Sequence, residues 1–423
     1  MTRRVWLQNV SLSRLRMNLE FTPSPVPGRP GLMMRDPYRY SDAALVIPPA
    51  LLECLQCFDG QRTELDLREY LVRLTGDLRV SELSRHLTDS LSEAGFLDNE
   101  VFAQMQEQRH KQFAEAPRRE AAHAGTAYPS EPEALHARLL GYLDGVPPSP
   151  PGELMGLAAP HVSLEGGKEC YGAAYRTLGS QYQERIFVIL GTSHFGPQER
   201  FGLTRKPFVT PLGAARTEQS LVDWLAQAAG PSVTMEDYCH SIEHSIEFQI
   251  LFLQHLYGAG VRVVPILCGP FATSIQRGGL PEQDKNVKRF LEALGELAAR
   301  EGSRLFWILG VDMAHMGRRY GDPFAATAQQ GGMREVADVD RRRIHCITDA
   351  DSEGFWEAVQ DNHDALKWCG SSAFYTFLKV VPQVRGELLS YRQWNIDEHS
   401  VVSFGALSFS RRTELNRIES FTH

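Results

Sequence analysis

Three apolar stretches of this chain each run into side chains able to bind a metal or carry a proton. Residues 186–190 are followed by Gly191, two hydroxyl side chains and His194; residues 155–159 pass through Pro160 into His161; residues 305–311 lead to Asp312 and His315. Imidazole is the commonest metal-ligating side chain and the one that gains and loses a proton near neutral pH. A short apolar run rich in branched residues reads as a strand covered on both faces. A ligand-type side chain just past its end stands where open α/β sheets build their crevices.

Two further groups carry chemistry. Cys369 lies in Trp368-Cys369-Gly370-Ser371-Ser372-Ala373, a turn opening a helix, where the partial positive charge favours thiolate. Such a thiolate is either a nucleophile or a soft metal ligand, and His161 and His194 could supply its nitrogen partners. His240, Glu243 and His244 form an HxxEH pattern. On a helix they would share one face with Glu247, as in inverzincin hydrolases, where two histidines hold zinc and the glutamate is the base. A solvated helix start is the plainer alternative. His123 could line a pocket or be a satisfied structural histidine, whereas His86, His345, His363 and His399 have no ligand-spaced partners and read as surface residues.

The elements that must position these groups alternate along the chain. Strands at residues 155–160, 186–190, 261–268, 305–311, 388–393 and 401–410 are interleaved with helical patterns, which argues one three-layer α/β domain over residues 122–411 with a mixed central sheet. Pro265 cannot donate to a ladder, so its strand is expected at an edge or bulge. Residues 32–99 read as a small separate α+β unit: strands at 32–34 and 44–47, then helices at 49–58, 64–74 and 81–94. Residues 1–31 end in a proline-rich run and read as an extended or disordered lead, residues 100–121 as a solvated helical linker, and residues 412–423 as a tail.

Composition narrows the class. The chain has 423 residues, 43% hydrophobic and 23% charged, as in ordinary globular proteins. A formal charge of −8 argues against a nucleic-acid binder, which needs a basic footprint. No apolar run approaches the roughly 18 residues that a membrane-spanning helix requires. Seven scattered cysteines are not a disulfide framework, which places the chain in a reducing compartment, the cytoplasm. Cys54 and Cys57 lack a second ligand pair and read as buried structural thiols.

Residues 122–410 resemble the Memo family, protein B of the bacterial AmmeMemoRadiSam system. The phrases that carry the resemblance are "HAGTAYP", "APH", "ILGTSH", "TPLG", "EHSIEFQ", "VPILCG", "VDMAHMG", "CGSSAFYTFL" and "VVSFGALSF", in family order. The resemblance implies a fold similar to class III extradiol dioxygenases, which hold non-haem iron with two histidines and a carboxylate. Carried over position by position, it puts metal ligands at His161, His194 and Cys369, with Asp312, His315 and His244 around the same pocket. It departs from the dioxygenases at Cys369, where they have a carboxylate, and a thiolate shifts preference toward copper(I), zinc or a differently tuned iron. Animal members also read "PHAGY" where this chain has His161-Val162-Ser163.

The expected function is therefore a metal-dependent oxidoreductase holding iron or copper, with zinc as a third candidate. His315 and His244 are the acid/base residues and Asp312 orients an imidazole. The substrate is an unknown small molecule or peptide, and a radical-SAM protein is the expected partner. A non-catalytic metal-binding scaffold and an HxxEH hydrolase are the competing readings. Separately, Asp59-Gly60-Gln61-Arg62-Thr63 resembles the turn of winged-helix-like peptide-recognition domains of the PqqD type, against which stands a simple docking or dimerisation module.

Overall fold

A computed structural model describes residues 11–145 and 153–412. The chain divides into two compact units, residues 1–115 and 116–423.

In the first unit, β1 (Glu20–Pro23), β2 (Leu32–Arg35) and β3 (Ala44–Ile47) form an antiparallel sheet in that order. A 3-10 helix over Pro49–Cys57 follows, with Cys54 and Cys57 both buried. Then come α1 (Glu64–Thr75), α2 (Ser81–Glu93) and α3 (Glu100–Glu115). The Asp59–Thr63 phrase has a local physical explanation. Asp59 Oδ1 accepts the N–H groups of Gln61 and Arg62, and Thr63 with Asp66 forms a capping box that starts α1. Leu65 and Leu74, which match helical spacing, are exposed, while Leu67 and Leu71 carry the packed face.

Two expectations fail here. The supposed lead is structured from residue 11 onward: β1 pairs with β2, Leu12 and Leu19 enter the core, and Arg16 makes a buried ion pair with Asp36 at 3.0 Å. Pro23 closes β1 opposite Leu32 and the other prolines shape the connection to β2, where Ser24 N–H bonds Gly31 C=O, so they do not exclude an edge strand. Residues 1–10 of that lead lie outside the described residues. The supposed linker is helical, but α3 belongs to the first unit, because Phe102 stacks under the Arg16 guanidinium at 3.8 Å and Phe113 is buried. All of the expected tail but Arg412 likewise lies outside the described residues.

The second unit continues with α4 (Pro132–Leu143), β4 (Leu154–Ala159), α5 (Leu164–Tyr175), β5 (Ile186–Thr192), β6 (Phe201–Leu203), β7 (Phe208–Thr210) and β8 (Gly213–Thr217). After α6 (Gln219–Ala229) and β9 (Val233–Met235) come α7 (Cys239–Ile242), α8 (Glu247–Tyr257) and β10 (Arg262–Cys268). The chain ends through α9 (Ala272–Arg277), α10 (Lys285–Glu301), β11 (Leu305–Gly310), β12 (His315–Gly317), α11 (Met333–Thr348), α12 (Ser352–Gln360), α13 (Ser371–Val380), β13 (Val384–Asp397) and β14 (Ser400–Arg411). The eleven-stranded mixed sheet has the central order β14-β4-β11-β5-β10, with β4, β11, β5 and β10 mutually parallel. Side chains alternate between two cores. Phe187 and Ile189 face α5 and α8, and Val188 and Leu190 face α6, α10 and α13, giving helices on both faces of the sheet. Among the described residues, no helix is long and apolar enough to cross a membrane.

Pro265 is in an interior strand, against expectation. On its non-β5 side β10 pairs with β8 at residues 262–263 and with β6 at 266–268, so the proline sits in the gap between two short partners and breaks no ladder bond there.

Register decides where the site lies. Ala159, Gly310 and Gly191 are side by side across β4, β11 and β5. His161, Asp312 and His194 each stand two residues past the end of their strand and so emerge at one sheet edge.

Candidate metal centre

At that edge, ligand atoms of His161, His194 and Cys369 all lie within 4.8 Å of one another. Both imidazoles are oriented from behind. His161 Nδ1 is 2.9 Å from the Gly310 carbonyl oxygen, which can only accept, so Nδ1 carries the hydrogen and Nε2 faces the Cys369 sulfur at 3.3 Å. His194 Nδ1 donates to Glu243 Oε1 at 2.9 Å, and its backbone N–H donates to Glu243 Oε2 at 2.9 Å. This is the support that metal-bound histidines usually have, with the rear nitrogen fixed and the front lone pair free. The 3.3 Å nitrogen–sulfur separation approaches the ~3.5 Å edge expected for a tetrahedron with metal–sulfur and metal–nitrogen bonds of about 2.3 and 2.05 Å.

The thiol arrives from α13. Gly370 N–H donates to the Asp312 carbonyl at 3.1 Å and Thr192 Oγ1 donates to the Cys369 carbonyl at 3.2 Å, tying the turn to two strand ends. Asp312 is buried; its Oδ1 accepts the His161 backbone N–H at 3.0 Å and its Oδ2 lies 3.6 Å from His161 Nε2.

The charge balance asks for a cation. Burial works against charge on His161, yet the Asp312 carboxylate and the Cys369 thiolate outweigh it and push its pKa up to about 9. Burial likewise opposes charge on His194, but Glu243 and Cys369 hold its pKa well above the usual value. Cys369 itself is held well below the ordinary thiol range: burial would raise it, and the charges of His161 and His315 prevail. Asp312, Glu243 and the thiolate thus demand positive charge in a buried space, either as protons on the imidazoles or as a metal ion. The donor set of two nitrogens and one soft sulfur fits a transition metal.

His244 is brought to the same place, though not by a continuous helix. The HxxEH residues do not share one helical face, because α7 ends at Ile242 and α8 begins at Glu247. His240 turns away into the core, where its Nε2 lies 3.0 Å from the Gly202 carbonyl. Glu243 bonds His194, and His244 stacks on the His194 ring at 5.2 Å, edge-on to His161 at 5.1 Å. The break fits the sheet because a Cβ on Gly310 would overlap the Ser245 carbonyl oxygen and one on Gly191 would press on Ile246 and Ser245. A zinc site on His240 and His244 is incompatible with this geometry.

His315 Nδ1 lies 2.9 Å from the Met313 carbonyl and 3.1 Å from that of Lys367, so its Nε2 is the free nitrogen. His123 neighbours His244, with ring centroids at 5.6 Å, and its Nε2 is satisfied by the Ile242 carbonyl at 2.8 Å. A cavity of about 250 Å³ opens beside His194 and Cys369, bordered also by Ser193, Phe271, Lys367 and Trp368.

Sequence reasoning named Glu243 only in the HxxEH alternative, as a base, and missed Arg119. The wholly buried Arg119 guanidinium bonds the carbonyls of His240 and Glu243 at 2.8 Å each and pairs with the buried Glu247, which also accepts the Tyr128 hydroxyl. The signal available for Glu247 was a carboxylate next to Phe248 at the head of an apolar helix. Arg119 stood among charged residues and gave none.

Residues 119–408 match the family model described as Memo-like protein. The chain is 25% identical over 381 residues to a MEMO1 family protein of Aquifex aeolicus, covering 89% of this chain and 95% of that one. It is 28% identical to MEMO1 family proteins of Thermococcus kodakarensis, over 60% of this chain and 86% of the relative, and of Pyrococcus furiosus, over 64% and 91%. A crystal structure of the uncharacterized protein JW3007 from Escherichia coli K12 aligns over 60% of this chain and 99% of that chain at 13% identity, with a TM-score of 0.32, too low to bear on the fold. The family match spans the strand-end histidines, the Glu243 turn and the Cys369 turn alike, and on it the chain belongs to the Memo family.

Proposed function

We propose that the second unit binds one redox-capable transition metal, iron or copper, through His161, His194 and Cys369, and works as a metal-dependent oxidoreductase. The observation that carries this reading is the convergence of two rear-anchored imidazoles and one thiolate within 4.8 Å. A bound iron or copper ion would supply one-electron chemistry. Glu243 and the Gly310 carbonyl fix the two imidazole rings, and Asp312 holds the backbone that presents His161. His315, with Nε2 free, and His244, seated over His194, are the proposed acid/base residues of the pocket; neither borders the cavity beside His194 and Cys369. The volume of that cavity suits a small molecule or a single side chain of a peptide.

Purification without chelators or a histidine tag, followed by metal analysis and oxygen-uptake measurement on reconstituted protein, tests the proposal. About one metal per chain with oxygen consumption supports it. Protein that stays empty after exposure to iron(II), copper(I) and zinc contradicts it, and metal without turnover favours a scaffold.

The resemblance to the AmmeMemoRadiSam component adds a radical-SAM protein as the proposed partner, docked through the first unit, where β3 is an outer strand of its sheet. Deleting residues 1–115 should abolish co-purification with that partner while the metal is retained; persistence of binding would make the first unit structural.

A further inference from the structure

One buried carboxylate joins the metal pocket to the surface. Asp340, on α11 and fully buried, accepts the Trp368 Nε1–H at 2.7 Å on one oxygen and the Tyr391 hydroxyl at 2.6 Å on the other. Trp368 is the residue before Cys369. Tyr391, on β13, is partly exposed and borders a cleft of about 400 Å³ that is also lined by Arg334, Arg341 and Arg392; Arg341 pairs with Asp338 at 3.1 Å and Arg392 with Glu169 at 2.5 Å, so Arg334 carries the excess positive charge. A thiolate ligand, an indole, a carboxylate and a phenol therefore follow one another from the pocket to a cationic surface cleft.

We propose that this series is an electron route, and that a small anionic one-electron donor such as an enediolate delivers electrons to it at the arginine cleft. The proposal rests on the redox reading above. Its chemistry is constrained by two cations. The Arg343 guanidinium lies 5.2 Å from the Trp368 ring and that of Arg341 lies 5.6 Å from the Tyr391 ring, so each opposes positive charge on its ring. Oxidation at Tyr391 must then be accompanied by loss of its proton. Asp340 is placed to accept it, and burial, which raises the Asp340 pKa, makes it a better base than an exposed carboxylate.

Tyr391 gives one electron toward the pocket through Trp368 and its phenolic proton to Asp340, leaving a neutral tyrosyl radical and a carboxylic acid; an iron(III) or copper(II) ion held by His161, His194 and Cys369 would be the one-electron oxidant. The donor in the cleft then returns one electron to Tyr391 and is itself oxidised by one electron, while Asp340 returns the proton.

Hexachloroiridate(IV), an anionic outer-sphere one-electron oxidant, runs the outer half in reverse on metal-free protein. Stopped-flow absorbance should show a fast phase of oxidant reduction with a tyrosyl signal by electron paramagnetic resonance. That phase should vanish in Tyr391→Phe, slow on the order of a hundredfold in Asp340→Asn, and weaken with added salt and in Arg334→Gln. In copper(I)-loaded protein the metal should be oxidised in a fast phase that Trp368→Phe removes while copper affinity is kept. A metal-free phase untouched by Tyr391→Phe, or a copper phase untouched by Trp368→Phe, overturns the route. Protein that shows the Tyr391 phase but binds no metal contradicts the redox-centre reading and the inward half of the route together; protein that binds metal without the phase overturns the route alone.

Discussion

Replacing Glu243 by glutamine removes one charge and almost no volume, and so tests what the carboxylate does for His194 and for His244, whose Nδ1 lies 3.1 Å from Oε1. In the native pocket Glu243 Oε2 accepts the His194 backbone N–H at 2.9 Å, while Oε1 accepts His194 Nδ1–H at 2.9 Å and the His244 backbone N–H at 3.0 Å. Glutamine offers one acceptor oxygen and one NH2 group. With its oxygen in the Oε1 place, the NH2 meets the His194 backbone donor. Flipped, the NH2 meets Nδ1 and forces the imidazole into the other tautomer, whose Nε2 bears a hydrogen and cannot bind metal. Loss of such a supporting partner typically lowers metal affinity about 10- to 100-fold, equivalent to roughly 1.4–2.7 kcal/mol. Competition against a chromophoric chelator, with thermal unfolding as the control for folding, measures it. Unchanged affinity in a folded Glu243→Gln protein would refute the claim that Glu243 orients His194.

Three further outcomes follow from particular contacts. Cys369→Ser replaces a soft donor by a hard one and should weaken copper(I) and zinc binding far more than it changes the unfolding midpoint, as read by the same competition. Gly310→Ala forces a methyl group against the Ser245 carbonyl and should cost about 1–3 kcal/mol in urea unfolding; a neutral result would mean that the turn between α7 and α8 is not seated against the sheet. His240 is buried with no partner for Nδ1, and burial, the largest influence, lowers its pKa from 6.5 to about 4. Because the folded pKa is the lower one, the unfolded chain binds more protons between these values: the contribution is fully present above pH ~6.5, is lost as pH falls to ~4, and amounts to roughly 3 kcal/mol. His240→Gln should flatten this part of the stability–pH curve; an identical acid limb would contradict the assignment.

The parts of the site legible in the sequence were those where one residue's neighbourhood along the chain decides its place. His161, His194 and Asp312 follow apolar runs, and the register of β4, β11 and β5 brings them together. The thiolate character of Cys369 left a nucleophile and a soft ligand of His161 and His194 as alternatives, and the family phrases selected the second, since nothing near it in sequence indicates which strand ends it meets. Helical periodicity misled at residues 240–247. The spacing is helical, but Gly310 and Gly191 leave room for a break that moves Glu243 and His244 to the pocket and His240 to the core. Arg16 and Arg119 are the residues periodicity handles worst. Each is a buried arginine whose partners, Asp36 and Glu247, lie far along the chain, and each draws into a folded unit a segment that reads as lead or linker.

The ligand set itself is tested most directly by X-ray absorption at the metal edge of zinc-loaded protein, beside the Cys369→Ser variant prepared the same way. Zinc held by His161, His194 and Cys369 gives one sulfur at about 2.3 Å with nitrogen at about 2.0–2.1 Å, and the sulfur shell is lost in the variant. A shell of nitrogen and oxygen alone, or a sulfur shell that survives Cys369→Ser, would contradict a centre built from His161, His194 and Cys369.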